Sequence, residues 1–292
     1  MIRRGMTIVE LLVVLAIVAV SLALGLPAIQ HSIQDARRSQ CKNNMKQLGL
    51  ALHNYHEVYA TFAPGWISRD GTPGTGARSG WQVAILPFVD QAPLYNQINF
   101  QLPSPIEVDG KPVPLFQTPL PIYRCPTDPT PATNPLRGEY GTSNYSGNYG
   151  HVPPPRLRAL GMSDFWPGAV EAPMKSRGIF ARNSSVRIQD VTDGTSNTIL
   201  AGERGIASGA GIWPGVTGNG HEDDALTDGS HRSRPNAGLF SFSSRHDGGV
   251  HILMCDGSVR FLSDKIDSKP GPQLGVLQIL ATRNDGMPLG DF

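Results

Sequence analysis

The apolar positions of this chain fall into three regimes. Residues 6–29 are almost uninterruptedly hydrophobic, and Glu10 is the one charge among them. As a helix that run measures about 36 Å, enough to cross a hydrocarbon core of about 30 Å. Further on the spacing changes. Met45, Leu48, Leu52, Tyr55 and Tyr59 advance by three and four, which is one apolar stripe on a helix. Lys42, Asn43, Asn44, Lys46, Gln47, His53, Asn54 and His56 lie between them and suit a wet face. The pattern predicts a single helix over residues 6–58, about 80 Å long, apolar in its first half and amphipathic in its second. Pro27 removes one backbone hydrogen bond and is expected to bend it, at a cost of about 3 kcal/mol if unrelieved. Pro64-Gly65 is expected to close the segment.

The third regime consists of short runs divided by turn residues. Residues 68–80 read as a loop rich in glycine and threonine. Trp81, Ile85, Leu86, Phe88 and Val89, then Leu94, Tyr95 and Ile98, predict two short helices. Pro103, Pro105, Pro112, Pro114, Pro119 and Pro121 argue against regular structure in the stretch they punctuate. Residues 143–148 read as a strand edge, and residues 178–180 with the alternating Val186 and Ile188 read as strands. A hydroxyl-rich turn over residues 190–198 precedes a further strand at Ile199 and Leu200. Residues 205–236 are again rich in glycine and serine. The clearest sheet signal comes late, where apolar runs at 250–255 and 258–262 flank Asp256-Gly257, the strongest short-range hairpin pattern. Residues 276–282 read as a short helix or strand. The expected fold is α+β: one long N-terminal helix packed on a C-terminal antiparallel β-sheet head with long loops.

Composition sharpens this picture in three places. Glycine (33) and proline (25) make up nearly a fifth of the 292 residues, which predicts many turns around a modest core. Lys plus Arg (25) nearly balances Asp plus Glu (24), so no nucleic acid is expected as a partner. The three cysteines, Cys41, Cys125 and Cys255, permit one bridge and one leftover thiol. Cys41–Cys125 is the favoured pair, tying helix to head and contributing about 4–5 kcal/mol in the chain-entropy model. Cys255 sits in a strongly apolar run and reads as a core residue.

Three readings of the N-terminal run stand side by side. It is a plain anchor, with Arg3 and Arg4 holding the N-terminus in the cytoplasm. It is a secretory signal peptide, although it is longer than a usual apolar region and carries an acid. Or it is an assembly signal. Gly5 followed by Met6-Thr7-Ile8-Val9-Glu10-Leu11-Leu12-Val13-Val14 resembles the processing site of type IV pilins and pseudopilins. That resemblance implies a prepilin peptidase that cuts after Gly5 and methylates Met6. It also implies an assembly role for Glu10, the fifth residue counted from Met6, and for Pro27, where many pilins have a helix-bending proline. The implied division is a leader at 1–5, a transmembrane and assembly half at 6–29, an amphipathic half at 30–60 and an extracytoplasmic head at 61–292.

Motifs in the head narrow the resemblance. Residues 39–48 with His53-Asn54-Tyr55-His56, then Asp193-Gly194-Thr195-Ser196-Asn197-Thr198, then His246 followed after nine intervening residues by Asp256-Gly257, occur together in this chain. In combination they resemble the domain-of-unknown-function 1559 family, also called the H-x9-DG proteins. The resemblance implies a pilin-type helix and a β-rich head. Asn284-Asp285-Gly286-Met287 stands where family members often carry a double glycine and a glutamate.

Candidate chemistry in the head is sparse. His246 and Asp256 invite a catalytic-dyad reading, but the strand between them spans roughly 17 Å, so Asp256-Gly257 is expected to make the turn and His246 to anchor the preceding loop. Asp190, Asp193 and Thr195 offer oxygens to calcium, a cation some pseudopilins bind in a loop. None of that loop's pattern is visible, and a turn held by side-chain-to-backbone bonds is the preferred reading. His221, Glu222, Asp223 and Asp224 are expected to be solvated, and no cysteine or histidine spacing matches a zinc site. With no nucleophile elbow, phosphate loop or paired carboxylates, no enzyme and no cofactor are expected.

The function expected is that of a pilin-like or pseudopilin-like structural subunit. Its expected partners are a prepilin peptidase, the inner membrane and other such subunits. The alternative is a membrane-tethered head that binds a glycan or solute without forming filaments, with Trp66, Trp81, Trp166 and Trp213 as candidate platforms.

Overall fold

A computed structural model of the chain describes residues 8–68, 78–102, 104–151, 176–217, 224–230, 232–270 and 273–289, with backbone alone at 22, 24–28 and 31. The two apolar patterns at the N-terminus form one helix, α1 (Ile8–Tyr59), unbroken through Pro27. It ends before Pro64-Gly65 is reached. Ala60 takes a left-handed φ of 59°, and its N–H returns to the His56 carbonyl at 2.7 Å, a helix C-terminus of the kind glycine usually makes.

The two halves of α1 have opposite fates. Cys41, Met45, Leu48, Ala51 and Leu52 are buried against the head, Tyr55 is half-buried and Tyr59 is exposed. Asn44, expected on the wet face, is buried too. Its amide donates to the carbonyls of Pro121 (3.3 Å) and Arg124 (2.8 Å). In the first half, by contrast, every large apolar side chain from residue 8 to residue 20 is exposed, Ile8 by 78%. Among the described residues no helix is long and apolar enough to cross a membrane. The side chains described without a break, residues 8–21, reach about 20 Å at 1.5 Å per residue.

The head is built on a five-stranded sheet of β1 (Tyr145–Gly150), β2 (Ile199–Glu203), β3 (Leu226–Asp228), β4 (Gly249–Met254) and β5 (Val259–Ser263), in the order β3-β1-β2-β4-β5. All its pairings are antiparallel except β3 on β1. A smaller three-stranded sheet joins Thr133–Asn134, Tyr140–Ser143 and Gly211–Ile212. Side chains on β4 alternate between two cores, as a strand covered on both faces requires. Leu253 joins the core under α1, together with Leu200 and Ala201 of β2. Val250, Ile252 and Met254 join Phe242 and the short helix Val276–Leu280 on the opposite face. The register of β4 on β2 shifts between Leu253 and Met254, which leaves Leu200 as the extra residue.

Several expectations need correction. Residues 143–148 do not lie at an edge, because β1 sits between β3 and β2. Residues 178–180 form no strand; they are tied by Ile179 and Phe180 N–H to the Asn148 carbonyl. The proline-rich passage holds two 3-10 turns, Pro114–Gln117 and Pro121–Tyr123, and a two-residue hairpin of Glu107–Val108 with Lys111–Pro112. Where the apolar spacing suggested two short helices there are three short helical elements, Trp81–Ala84, the 3-10 turn Leu86–Phe88 and Ala92–Tyr95. Glycine serves packing as well as turns: a Cβ on Gly202 would lie 2.4 Å from the Phe242 ring.

The Asp256-Gly257 hairpin forms with its turn at residues 255–258. Gly257 alone takes a left-handed φ of 83°, while the Asp256 carboxylate accepts the Ser258 N–H at 2.8 Å. Asp256 N–H donates to the Thr195 carbonyl and Cys255 N–H to that of Thr198. The two head motifs noted in the sequence therefore hold each other.

Candidate functional site

Where α1 meets the sheet, four elements bring ionisable and sulfur-bearing side chains together. Cys41 on α1 and Cys125, just after the Pro121–Tyr123 turn, form a disulfide with Cα atoms 4.9 Å apart. Cys255 is free and buried, and burial pushes its thiol pKa up. The bridge is flanked by anchors: the Tyr145 hydroxyl donates to the Cys41 carbonyl (3.1 Å), and Asn144 Oδ1 accepts the Cys125 N–H (3.1 Å).

Beside the disulfide lies Glu203, the last residue of β2 and only 1% exposed. His246 Nε2 sits 3.1 Å from its Oε1, and His251 Nδ1 sits 3.2 Å from its Oε2. The backbone N–H of His251 donates to the same Oε2 at 2.7 Å. Burial acts to raise the Glu203 pKa, but the hydrogen bonds and charges of His246 and His251 outweigh it and hold the carboxyl below its ordinary value. The two imidazoles meet edge to face at 4.9 Å, and His251 meets Phe261 likewise at 5.3 Å. Arg38 of α1 lies over the Phe261 ring at 4.4 Å, within the range of a cation–π contact. Cys125 Sγ is 3.9 Å from both His246 Nε2 and Glu203 Oε1.

A buried acid held by three nitrogens of β4 and the loop before it pins strand to strand; it presents no open face to a solute. His246, at 7% exposure, is anchored on Glu203, while Asp256 is engaged at the far end of β4. The two do not form a dyad. Sequence reading missed Glu203. Its one signal was an acid closing the apolar run Ile199-Leu200-Ala201-Gly202.

The remaining candidates are placed as follows. Gly5 and Met6 lie outside the described residues. Glu10 is exposed in the first turn of α1, and Pro27 lies in the part of α1 described by backbone alone. Asp190 accepts the Arg187 N–H (2.9 Å) and pairs with the Arg187 guanidinium (3.3 Å). Those bonds lower its pKa. Asp193 accepts the N–H groups of Asp285 (2.6 Å) and Gly286 (2.9 Å), tying the C-terminal segment to the 190–198 turn. Both aspartates thus act on backbone and arginine donors.

His221, Glu222 and Asp223 lie outside the described residues, but Asp224, expected in water, is buried in an ion pair with Arg137. Trp66, Trp81 and Trp213 are buried core residues and offer no platform, and Trp166 lies outside the described residues. A cavity of about 380 Å³ opens beside Tyr55, Tyr59, Tyr95 and Phe100.

No curated protein and no solved structure matches the chain. The family described as a protein of unknown function, DUF1559, matches residues 30–269, which spans the amphipathic half of α1, the disulfide, the Glu203 cluster and the hairpin. The chain belongs to the DUF1559 family.

Proposed function

We propose that this protein is a pilin-like or pseudopilin-like structural subunit, not an enzyme. In this reading a prepilin peptidase cuts between Gly5 and Met6 and methylates Met6. The N-terminal half of the helix is held in the inner membrane, or among the helices of other subunits, with the head outside the cytoplasm. The observation that carries the reading is the helix half that no other part of the described chain covers. From residue 8 to residue 20 its large apolar side chains are all exposed. Burying a Val, Leu or Ile side chain is worth about 1.5–3 kcal/mol, so a row of ten such residues calls for lipid or neighbouring helices as its surroundings. The Cys41–Cys125 bridge suits a head in an oxidising compartment.

Glu10 has a physical task in this mechanism. Its carboxylate pairs with the methylated amine of Met6, on its own or a neighbouring chain, and offsets the burial of both charges. Glu10→Ala should leave membrane insertion intact and abolish cross-linking between subunits. Cross-linking at the wild-type level in that variant would sink the proposed role.

A further inference from the structure

The disulfide, Glu203 and His246 together have the composition of a metal site. One ligand atom from each of Cys41, Cys125, Glu203 and His246 lies within 4.8 Å of all the others, and all four residues are buried. Tetrahedral zinc, with bonds of about 2.0–2.3 Å to N, O and S, sets its ligands about 3.3–3.8 Å apart. Cys125 Sγ is already 3.9 Å from His246 Nε2 and from Glu203 Oε1, and those two atoms are 3.1 Å apart. Only the two sulfurs, bonded to each other, are too close. Opening that bond to two thiolates lets the sulfurs part toward the tetrahedral spacing, with the other two ligand atoms already within 4.8 Å of both.

We infer that the chain with Cys41 and Cys125 reduced binds one Zn2+ in a closed site made by these two thiolates, the His246 imidazole and the Glu203 carboxylate, and that metal and disulfide are alternative clamps between α1 and the head. The surroundings suit it. The His251 N–H holds the Glu203 carboxylate, the Thr127 hydroxyl lies 2.9 Å from Cys125 Sγ, and burial matches a structural site with no open position. Binding releases one proton from each thiol. Passage to the disulfide then needs an oxidant of the disulfide class. The two thiolate sulfurs give up two electrons and form the S–S bond, the oxidant leaves as a dithiol after taking up two protons, and Zn2+ is released.

The test uses the full chain in detergent micelles, reduced by a phosphine without oxygen and titrated with Co2+. Intense tetrahedral d–d bands and a thiolate-to-cobalt charge-transfer band should saturate at about one equivalent and vanish on adding Zn2+. The oxidised chain and the Cys41→Ser/Cys125→Ser variant should show neither. Glu203→Gln and His246→Ala should each weaken Co2+ binding by about tenfold or more, since loss of even an outer partner costs 10–100-fold. His246→Cys, which supplies a ligand again, should restore it. Absence of the bands in the reduced wild type, whether or not far-UV circular dichroism finds it folded, overturns the inference. So do bands that His246→Ala and Glu203→Gln leave unchanged, or binding lost in His246→Ala and not regained with cysteine.

Discussion

Replacing Cys41 and Cys125 together by alanine isolates what the bridge contributes. The bridged residues are 84 apart in sequence, for which the chain-entropy model gives about 4.5 kcal/mol. At about 2–4 °C per kcal/mol for a chain of this size, Tm should fall by roughly 10–18 °C. The structure places the loss in the unfolded state. With the bridge gone, α1 is still held at that level by the Tyr145 hydroxyl on the Cys41 carbonyl and by Asn44 on the Pro121 and Arg124 carbonyls. The folded chain should therefore keep its near-UV circular dichroism, while the urea m-value rises because the unfolded chain expands. Urea and thermal unfolding of the full chain in micelles, wild type against double variant, read both quantities. A loss below about 1 kcal/mol would refute the entropic account. So would a full loss at unchanged m with altered near-UV signal, since the bridge would then be acting on the folded state.

Two further outcomes follow from the head. Glu203 has its pKa held below the ordinary 4.5, so its contribution is complete above that value and drains as pH falls through the lower folded-state value. Glu203→Gln should flatten the acid limb of a stability–pH curve below pH 4.5, and coincident limbs would show that the cluster is not linked to folding. Gly257→Ala forces an alanine into a φ of 83°, where its Cβ meets the His53 ring at an ordinary 3.6 Å. The cost is then backbone alone, about 1–2 kcal/mol in chemical denaturation, and a neutral result would place the turn elsewhere.

What sequence made legible is what periodicity encodes. The stripe from Met45 to Leu52 and the alternation around Asp256-Gly257 each carry local repeats that fix a face, so the helix, the hairpin and the burial of Cys255 could be read directly. Polar positions that meet distant parts of the chain were misread. Asn44 looks solvated until Arg124 and Pro121 supply carbonyls from some eighty residues away. Asp224 sits in a glycine- and serine-rich stretch, yet Arg137 draws it into the interior. Glu203 and His246 lie 43 positions apart and meet because β2 and β4 pair. No spacing rule encodes that meeting. Residues 143–148 looked peripheral because they are mostly polar, but β1 lies inside the sheet, where Gly147 leaves room for the Phe180 ring.

The central claim is that the N-terminal helix is a processed assembly element. Mass spectrometry of the protein isolated from its native membrane tests it most directly. The account predicts a chain that begins at N-methylated Met6, with residues 1–5 removed. A chain that begins at Met1, or at any residue after Met6, would contradict it.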